Sequence, residues 1–346
     1  HPPAPGGPHV MRQGTFNVTT ILVGILVAAC GSPSTTPAPS TTPAPSATAI
    51  ASATPDALEV HSIGGLPGAV IQIEATGLFR DRGLGEVESS SRGSGFIITP
   101  DGIAVTNNHV VTGATTVTVW VGANRSEHSA TVLGASECSD LAVIQIGGLR
   151  ESPYLSWYQG DIAPGLDIYA AGFPLGDPEY TLTKGIISRA HGLLDETWAW
   201  VENSIEHDAN TNPGSSGGPI VAPDGRVVAV HYAGDSDTEQ HWAIARDEAL
   251  TVIEDLQAGR DVASIGVNGE AIVDRERSGI WVSSVRAGSP AATAGVRAGD
   301  IITSLGGIDL AVDGTMKEYC QVLRSHGDDD VLSVEVYRES EGDTLS

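Results

Sequence analysis

Two adjacent serines, Ser215 and Ser216, sit in the stretch HDANTNPGSSGGPIV at residues 207–221. A serine hydroxyl becomes an acyl-transfer nucleophile when a base takes its proton and backbone donors hold the oxyanion that forms. In a glycine-rich turn of this kind the donors are the N–H of the serine and the N–H two residues before it. For Ser216 that second residue is Gly214, which has an N–H and tolerates unusual backbone angles. For Ser215 it is Pro213, which has no N–H to give. The chemistry therefore selects Ser216, with Gly214 and Ser216 as oxyanion donors and Ser215 as an additional candidate. Gly, Pro, Asn and Ser also build ordinary surface turns, so the stretch acquires meaning only from its partners. The base should be a histidine. Among the 10 histidines, His109 stands out in GIAVTNNHVV, just after a strand-like run. A third member, a carboxylate, must fix the tautomer of that histidine and stabilise its charged form. Asp140 in ASECSDLAVIQI lies at the mouth of a strongly apolar strand. Each of these residues alone has a bland reading; together, in the order His–Asp–Ser, they form a constellation.

Such residues need a scaffold that brings distant segments together. From about residue 58 to 249, short β-rich runs alternate with Gly, Pro and Asp turns. Examples are GFIIT (95–99), TTVTVWV (115–121), LAVIQI (141–146), LDIYAAG (166–172) and RVVAVHY (226–232). Many short strands with regular turns predict a barrel or sandwich. RDEALTVIEDLQ (246–257) has helical spacing and an acidic start, so it reads as a closing helix. After Gly259 a second module of roughly 85 residues begins. It holds GIWVSSV (279–285), SPAATAGV (289–296), GDIITSLGG (299–307) and an amphipathic stretch at 313–325. Met316, Cys320 and Leu323 are expected to share one face of that last helix.

The motifs SGFIITPDGIAVTNNHVV, SDLAVIQI, AGFPLG, TLTKGIIS and NPGSSGGPIV occur in order. With the module behind them, they resemble the HtrA (Deg) family of serine proteases. The resemblance spans roughly residues 93–307. It implies a mostly β fold: a chymotrypsin-like double β-barrel, expected over 57–257, and a small α+β PDZ domain, expected over 258–346. It makes His109, Asp140 and Ser216 the triad of a serine endopeptidase that works without metal or cofactor. It also implies a homotrimer acting on unfolded or damaged extracytoplasmic proteins. In the second module, Ser264, Ile265, Gly266 and Val267 fall where the family's carboxylate-binding loop and first binding strand lie. Such a strand accepts a C-terminal peptide by β-augmentation, here against the 313–325 helix.

Three places depart from the family pattern. The pocket for the residue before the cut should include Asn210 and Thr211, with His231 in AVHYAG on its wall. The family usually has small apolar residues there. Thr and His resemble instead the glutamyl endopeptidases of the same fold, since both can donate to a carboxylate. The opposing expectation is that His231 packs against Tyr232 or solvent and the pocket stays small and apolar. In the PDZ module, Ser264 stands where the family commonly has an aromatic. The end of the chain, YRESEGDTLS, falls about where a last PDZ strand should begin, which would leave a sheet edge exposed.

The start of the chain carries a different message. Residues 1–10 precede Met11 and are set aside from fold reasoning. ILVGILVAA at 21–29 is too short to span a bilayer but suits a signal-peptide core over 11–29. It ends in VAAC, which resembles the bacterial lipobox, with Cys30 as the lipidated residue. Residues 30–56 are rich in Ser, Thr, Pro and Ala, repeat STTPAP, and read as an extended tether. An anchor, a stalk and a folded body imply work outside the cytoplasm, at the membrane or in the periplasm. The formal net charge of −25, with only two lysines, argues against nucleic acid as a partner. The three cysteines lack any C-x-x-C spacing. Cys138 and Cys320 read as small buried residues; a disulfide between them would link the two domains, and the sequence leaves that open. The rival to the enzyme is a chaperone-like or PDZ-based binding protein whose catalytic site is silent at rest.

Overall fold

The structure, a computed structural model, describes residues 57–81, 85–235, 240–273, 277–327 and 330–338. The signal-like run, the tether and Cys30 lie outside these residues. Six strands, β1 (Val70–Asp81), β2 (Gly85–Ile97), β3 (Ile103–Asn107), β4 (Thr116–Val121), β5 (Ser126–Ser136) and β6 (Leu141–Ile146), close into a first barrel in the order β1-β2-β3-β6-β5-β4. A one-turn helix, α1 (Asn108–Val111), follows β3. A second barrel closes in the order β10-β11-β12-β9-β8-β7, from β7 (Asp167–Gly172), β8 (Thr181–Asp195), β9 (Trp200–His207), β10 (Pro219–Val221), β11 (Val227–Asp235) and β12 (Gln240–Ala245). This is the expected double barrel.

Strand patterns explain the placement. In β4, Val117, Val119 and Val121 are buried while the residues between them are more exposed, the period of a strand with one face inward. In β6 the apolar run is nearly continuous because both faces are covered. Ala142, Ile144 and Ile146 fill the first barrel, and Leu141 and Val143 join a core shared with Val221, Val230 and Ile244 of the second. Each buried Ile, Leu or Val here contributes about 1.5–3 kcal/mol on burial, so the seam between the barrels is firmly held. Helix α2 (Arg246–Gln257) has the bounds the sequence suggested. It buries Ala249, Val252, Ile253 and Leu256, spaced for one helix face, against this seam.

The second module holds β13 (Val267–Val273), β14 (Ser278–Val285), α3 (Pro290–Ala294), β15 (Ile301–Leu305), β16 (Ile308–Asp309), α4 (Lys317–Arg324) and β17 (Val334–Tyr337). The sheet runs β13-β14-β15-β16, with β17 paired to β15, so β13 is an edge strand. The closing strand β17 therefore lies before the place expected for it. Helix α4 is shorter than the 313–325 stretch, with Met316 as its N-cap, yet Met316, Cys320 and Leu323 all lie in this module's core. A disulfide joins Cys138 to Cys320 across 182 residues, tying the turn before β6 to α4.

Candidate active site

The pairing of β3 with β6 sets Asn107 opposite Leu141. His109 lies two residues beyond the end of one strand, and Asp140 one residue before the start of the other. The register alone therefore makes them neighbours. His109 Nδ1 lies 2.6 Å from Asp140 Oδ2, and the His109 backbone N–H donates to Asp140 Oδ1 at 2.9 Å. The Asp140 carbonyl accepts from Asn107 Nδ2 at 2.8 Å and from the Asn108 N–H at 3.1 Å. Asp140 is 1% exposed and has φ of 46°, a left-handed conformation that Asp tolerates better than most residues. Burial disfavours the His109 imidazolium, but the charge of Asp140 and its hydrogen bond outweigh this and raise the pKa above 6.5.

Ser216 reaches the same cleft from a turn stapled between the two barrels. Its carbonyl accepts from the Ser94 N–H of β2 at 2.8 Å, and the next N–H, of Gly217, donates to the His231 carbonyl of β11 at 2.9 Å. The Ser94 hydroxyl donates to the Gly214 carbonyl at 2.8 Å and accepts from the Phe173 N–H at 2.9 Å. Thr106 Oγ1 donates to the Ser94 carbonyl at 2.7 Å. A Cβ on Gly217 would meet both the Ser94 carbonyl and Thr106 Oγ1 at 2.4 Å, so that position must stay glycine. Ser94 and Thr106 were not singled out in the sequence. Their signal was only a small polar residue within each of two barrel strands, β2 and β3.

The candidate oxyanion donors lie in the same turn. The Pro213 carbonyl accepts from the Leu175 N–H at 2.6 Å, so it is turned towards that residue. In a trans peptide the following N–H, that of Gly214, points the opposite way. Among the described residues, the N–H groups of Gly214 and Ser216 donate to no protein acceptor. Ser215 does not join them: its N–H is taken by the Asn212 carbonyl at 2.9 Å. The additional candidate is thus corrected by a local turn bond. Ser216 Oγ donates to the Tyr232 carbonyl at 3.3 Å rather than to His109. His109 and Asp140 are in contact, whereas Ser216 shares the cleft with them and faces another acceptor.

Residues 93–230 match the family model for a trypsin-like peptidase domain, and residues 281–337 match that for a PDZ domain. A Do-like HtrA serine protease of Lactococcus lactis subsp. cremoris (strain MG1363) is 31% identical over 292 residues, covering 75% of this chain and 71% of that protein. The chain belongs to the HtrA family of serine proteases. A probable periplasmic DegP-like serine endoprotease of Marinomonas sp. (strain MWYL1) is 32% identical over 281 residues, but the chain spans only 57% of its length. The solved structure of the HtrA-type protease AlgW with a decapeptide is similar at a TM-score of 0.51 and 26% identity. The match covers 80% of this chain and 97% of that one.

Within this HtrA chain the cleft has a volume of about 1250 Å³ and includes Asn210, Thr211 and His231 beside His109 and Ser216. Thr211 Oγ1 lies 2.7 Å from His241 Nδ1. His231 does not rest on solvent: its ring meets His207 at 5.7 Å and His241 at 6.4 Å, and its Nδ1 has no partner. His207 and His241 sit opposite each other in the β9–β12 pair and stack at 5.6 Å. Sequence spacing alone did not reveal these two. Burial, with the neighbouring imidazoles, holds His231 well below its ordinary pKa and His207 at about 3, so both are neutral. On the far side of the cleft stand Asn268, Gly269 and Trp281 of the PDZ domain. Asn268 Nδ2 donates to the His109 carbonyl at 3.3 Å. Ser264, Ile265, Gly266 and Val267 lie directly before and at the start of β13, with Gly266 at φ of 88°.

Proposed function

We propose that this chain is an extracytoplasmic serine endopeptidase that hydrolyses peptide bonds of unfolded proteins. Ser216 Oγ attacks the peptide carbonyl carbon while His109 Nε2 takes its proton and passes it to the leaving amine. Asp140 holds Nδ1–H and stabilises the imidazolium. The N–H groups of Gly214 and Ser216 hold the oxyanion. Water then attacks the acyl-enzyme, with His109 again as base. The observation that carries this reading is the His109–Asp140 contact beside a serine turn whose two oxyanion N–H groups are uncommitted. For this step Ser216 Oγ leaves the Tyr232 carbonyl and turns to His109, and such bonds commonly tighten only when substrate binds. The test is digestion of an alkylated, unfolded protein by the full chain and by Ser216→Ala, with the fragments sequenced. Cutting by the wild type alone is expected. Equal cutting by both overturns the triad, and binding without cutting by both favours a holding protein. Anchoring through Cys30 belongs to the same reading; labelled fatty acid should enter the wild type and not Cys30→Ala.

A second reading concerns the residue before the cut. Thr211 and His231 face the cleft, and the His231–His207–His241 cluster supplies polar groups where an apolar pocket has no use for them. We infer a pocket that accepts Glu or Asp, with the Thr211 hydroxyl and an imidazole N–H donating to the substrate carboxylate.

A further inference from the structure

The PDZ carboxylate seat is already filled, and by the protease domain itself. Glu137 Oε1 accepts from the Gly266 N–H at 2.6 Å, the Val267 N–H at 2.9 Å and the Ser264 hydroxyl at 2.6 Å. Its Oε2 accepts from the Tyr319 hydroxyl of α4. Glu137 is 2% exposed. Consecutive backbone N–H groups in a glycine turn are what a chain-terminal carboxylate would use, and here those of Gly266 and Val267 are spent on a side chain. The edge that an added strand would pair with is occupied as well. The Ala271 N–H of β13 donates at 2.7 Å to the carbonyl of Thr197, in the connection between β8 and β9. The Met316 N–H, at the start of α4, donates to the neighbouring Glu196 carbonyl at 3.1 Å. The residue after Glu137 is Cys138, and its disulfide partner Cys320 sits in the helix that forms the other wall of this groove.

We propose that Glu137 is a built-in ligand of the PDZ domain, locked in place by the Cys138–Cys320 disulfide, and that reduction by a dithiol opens the groove to partners with a free C-terminal carboxylate. A ligand attached one residue from a covalent tie to its own groove competes at very high effective concentration, so a free peptide cannot displace it while the tie holds. In the reduction one thiolate of the dithiol attacks a sulfur of the bridge, and its second thiol resolves the mixed disulfide. The dithiol is oxidised to a disulfide; Cys138 and Cys320 take up two electrons and two protons as thiols. Both sulfurs belong to fully buried residues, so attack proceeds from a transiently opened form. Once the bridge is broken, the peptide's apparent affinity depends on how often Glu137 leaves.

This goes beyond the peptidase reading and does not rest on it. The test is therefore a binding measurement in full-length Ser216→Ala protein, in which loss of cutting has no bearing. The probe is a fluorescent peptide ending in a free valine carboxylate, with its C-terminal amide as twin, followed by anisotropy. The oxidised protein is expected to bind neither. Dithiothreitol-treated protein and Cys320→Ser are each expected to bind the free acid at least tenfold more tightly than the oxidised form, and not the amide. Adding Glu137→Ala to the reduced protein should strengthen binding again by at least tenfold. If that variant fails to fold, the oxidised-versus-reduced comparison decides alone. Equal affinity in the oxidised and reduced proteins, or equal binding of acid and amide, overturns the proposal.

Discussion

Replacing His231 by Leu tests the pocket most directly. The side chain is 4% exposed, its Nδ1 has no partner, and Leu fills similar space without polar atoms. The fold therefore loses no hydrogen bond made by the His231 ring. What the variant loses is a donor to an arriving carboxylate. A hydrogen bond to a charged group is worth about 1.5–3 kcal/mol, so kcat/KM for a peptide with Glu before the cut should fall about 10- to 150-fold. The same peptide with Val there should be cut as well as before or better, because the pocket becomes more apolar. The assay is steady-state cleavage of matched Glu and Val peptides at pH 8, by wild type and His231→Leu. If both peptides lose the same factor, or if the wild type already prefers Val, His231 does not read an acid and the polar cluster serves only the packing of the second barrel.

Other outcomes follow from the same geometry. Asp140→Asn, which presents an amide to His109 Nδ1 and favours the wrong tautomer, should lower kcat about 10³- to 10⁴-fold with little change in KM, read by active-site-titrated kinetics. Because Asp140 raises the His109 pKa, the acidic limb of kcat/KM should have its midpoint above pH 6.5; a midpoint below that value contradicts the pairing seen here. His207 is held near 3 in the folded state, so the unfolded chain takes up a proton that the folded chain refuses as pH falls from about 6.5 towards 3. Stability should drop over that window by up to about 1.4 kcal/mol per pH unit from this group, and His207→Leu should flatten the slope in urea melts at pH 4.5–7.

The three residues proposed as the triad could be picked out because each sits in a local signal: a strand end for His109, a strand mouth for Asp140, a glycine turn for Ser216. Helix α2 was legible for the same reason, since its buried residues repeat at helical spacing. What escaped depends on register or on distance. His207 and His241 become partners only once β9 is paired with β12, and nothing in either strand announces which residues will face each other. The Ser215 N–H is lost from the oxyanion donors through a single turn bond to Asn212, below the reach of composition. Glu137 looks in the sequence like one acid among 43 in Asp and Glu. Its role depends on donors more than 120 residues later, in a loop read for its backbone shape and not for its occupant.

Glu137 and Asp140 are held in one tight turn, and the two ends of that turn have opposed requirements. Asp140 must stay fixed for His109 to act, while Glu137 must be able to leave its seat. The bonds allow both. Asp140 is anchored by four contacts to β3 and α1: two on its carbonyl, at 2.8 and 3.1 Å, and two on its carboxylate, at 2.9 and 2.6 Å. Its backbone tie to Glu137, from the Asp140 N–H to the Glu137 carbonyl, is longer at 3.3 Å, and so weaker than any of these. Releasing Glu137 therefore strains the weakest bond of the set and leaves the catalytic pair with its own supports. The acidic limb of the pH profile reports the His109–Asp140 pair, so it should keep its midpoint when the disulfide is reduced, even as the PDZ groove opens. A shift of that midpoint towards 6.5 on reduction would mean that the bridge, and not β3 and α1, holds His109 and Asp140 together.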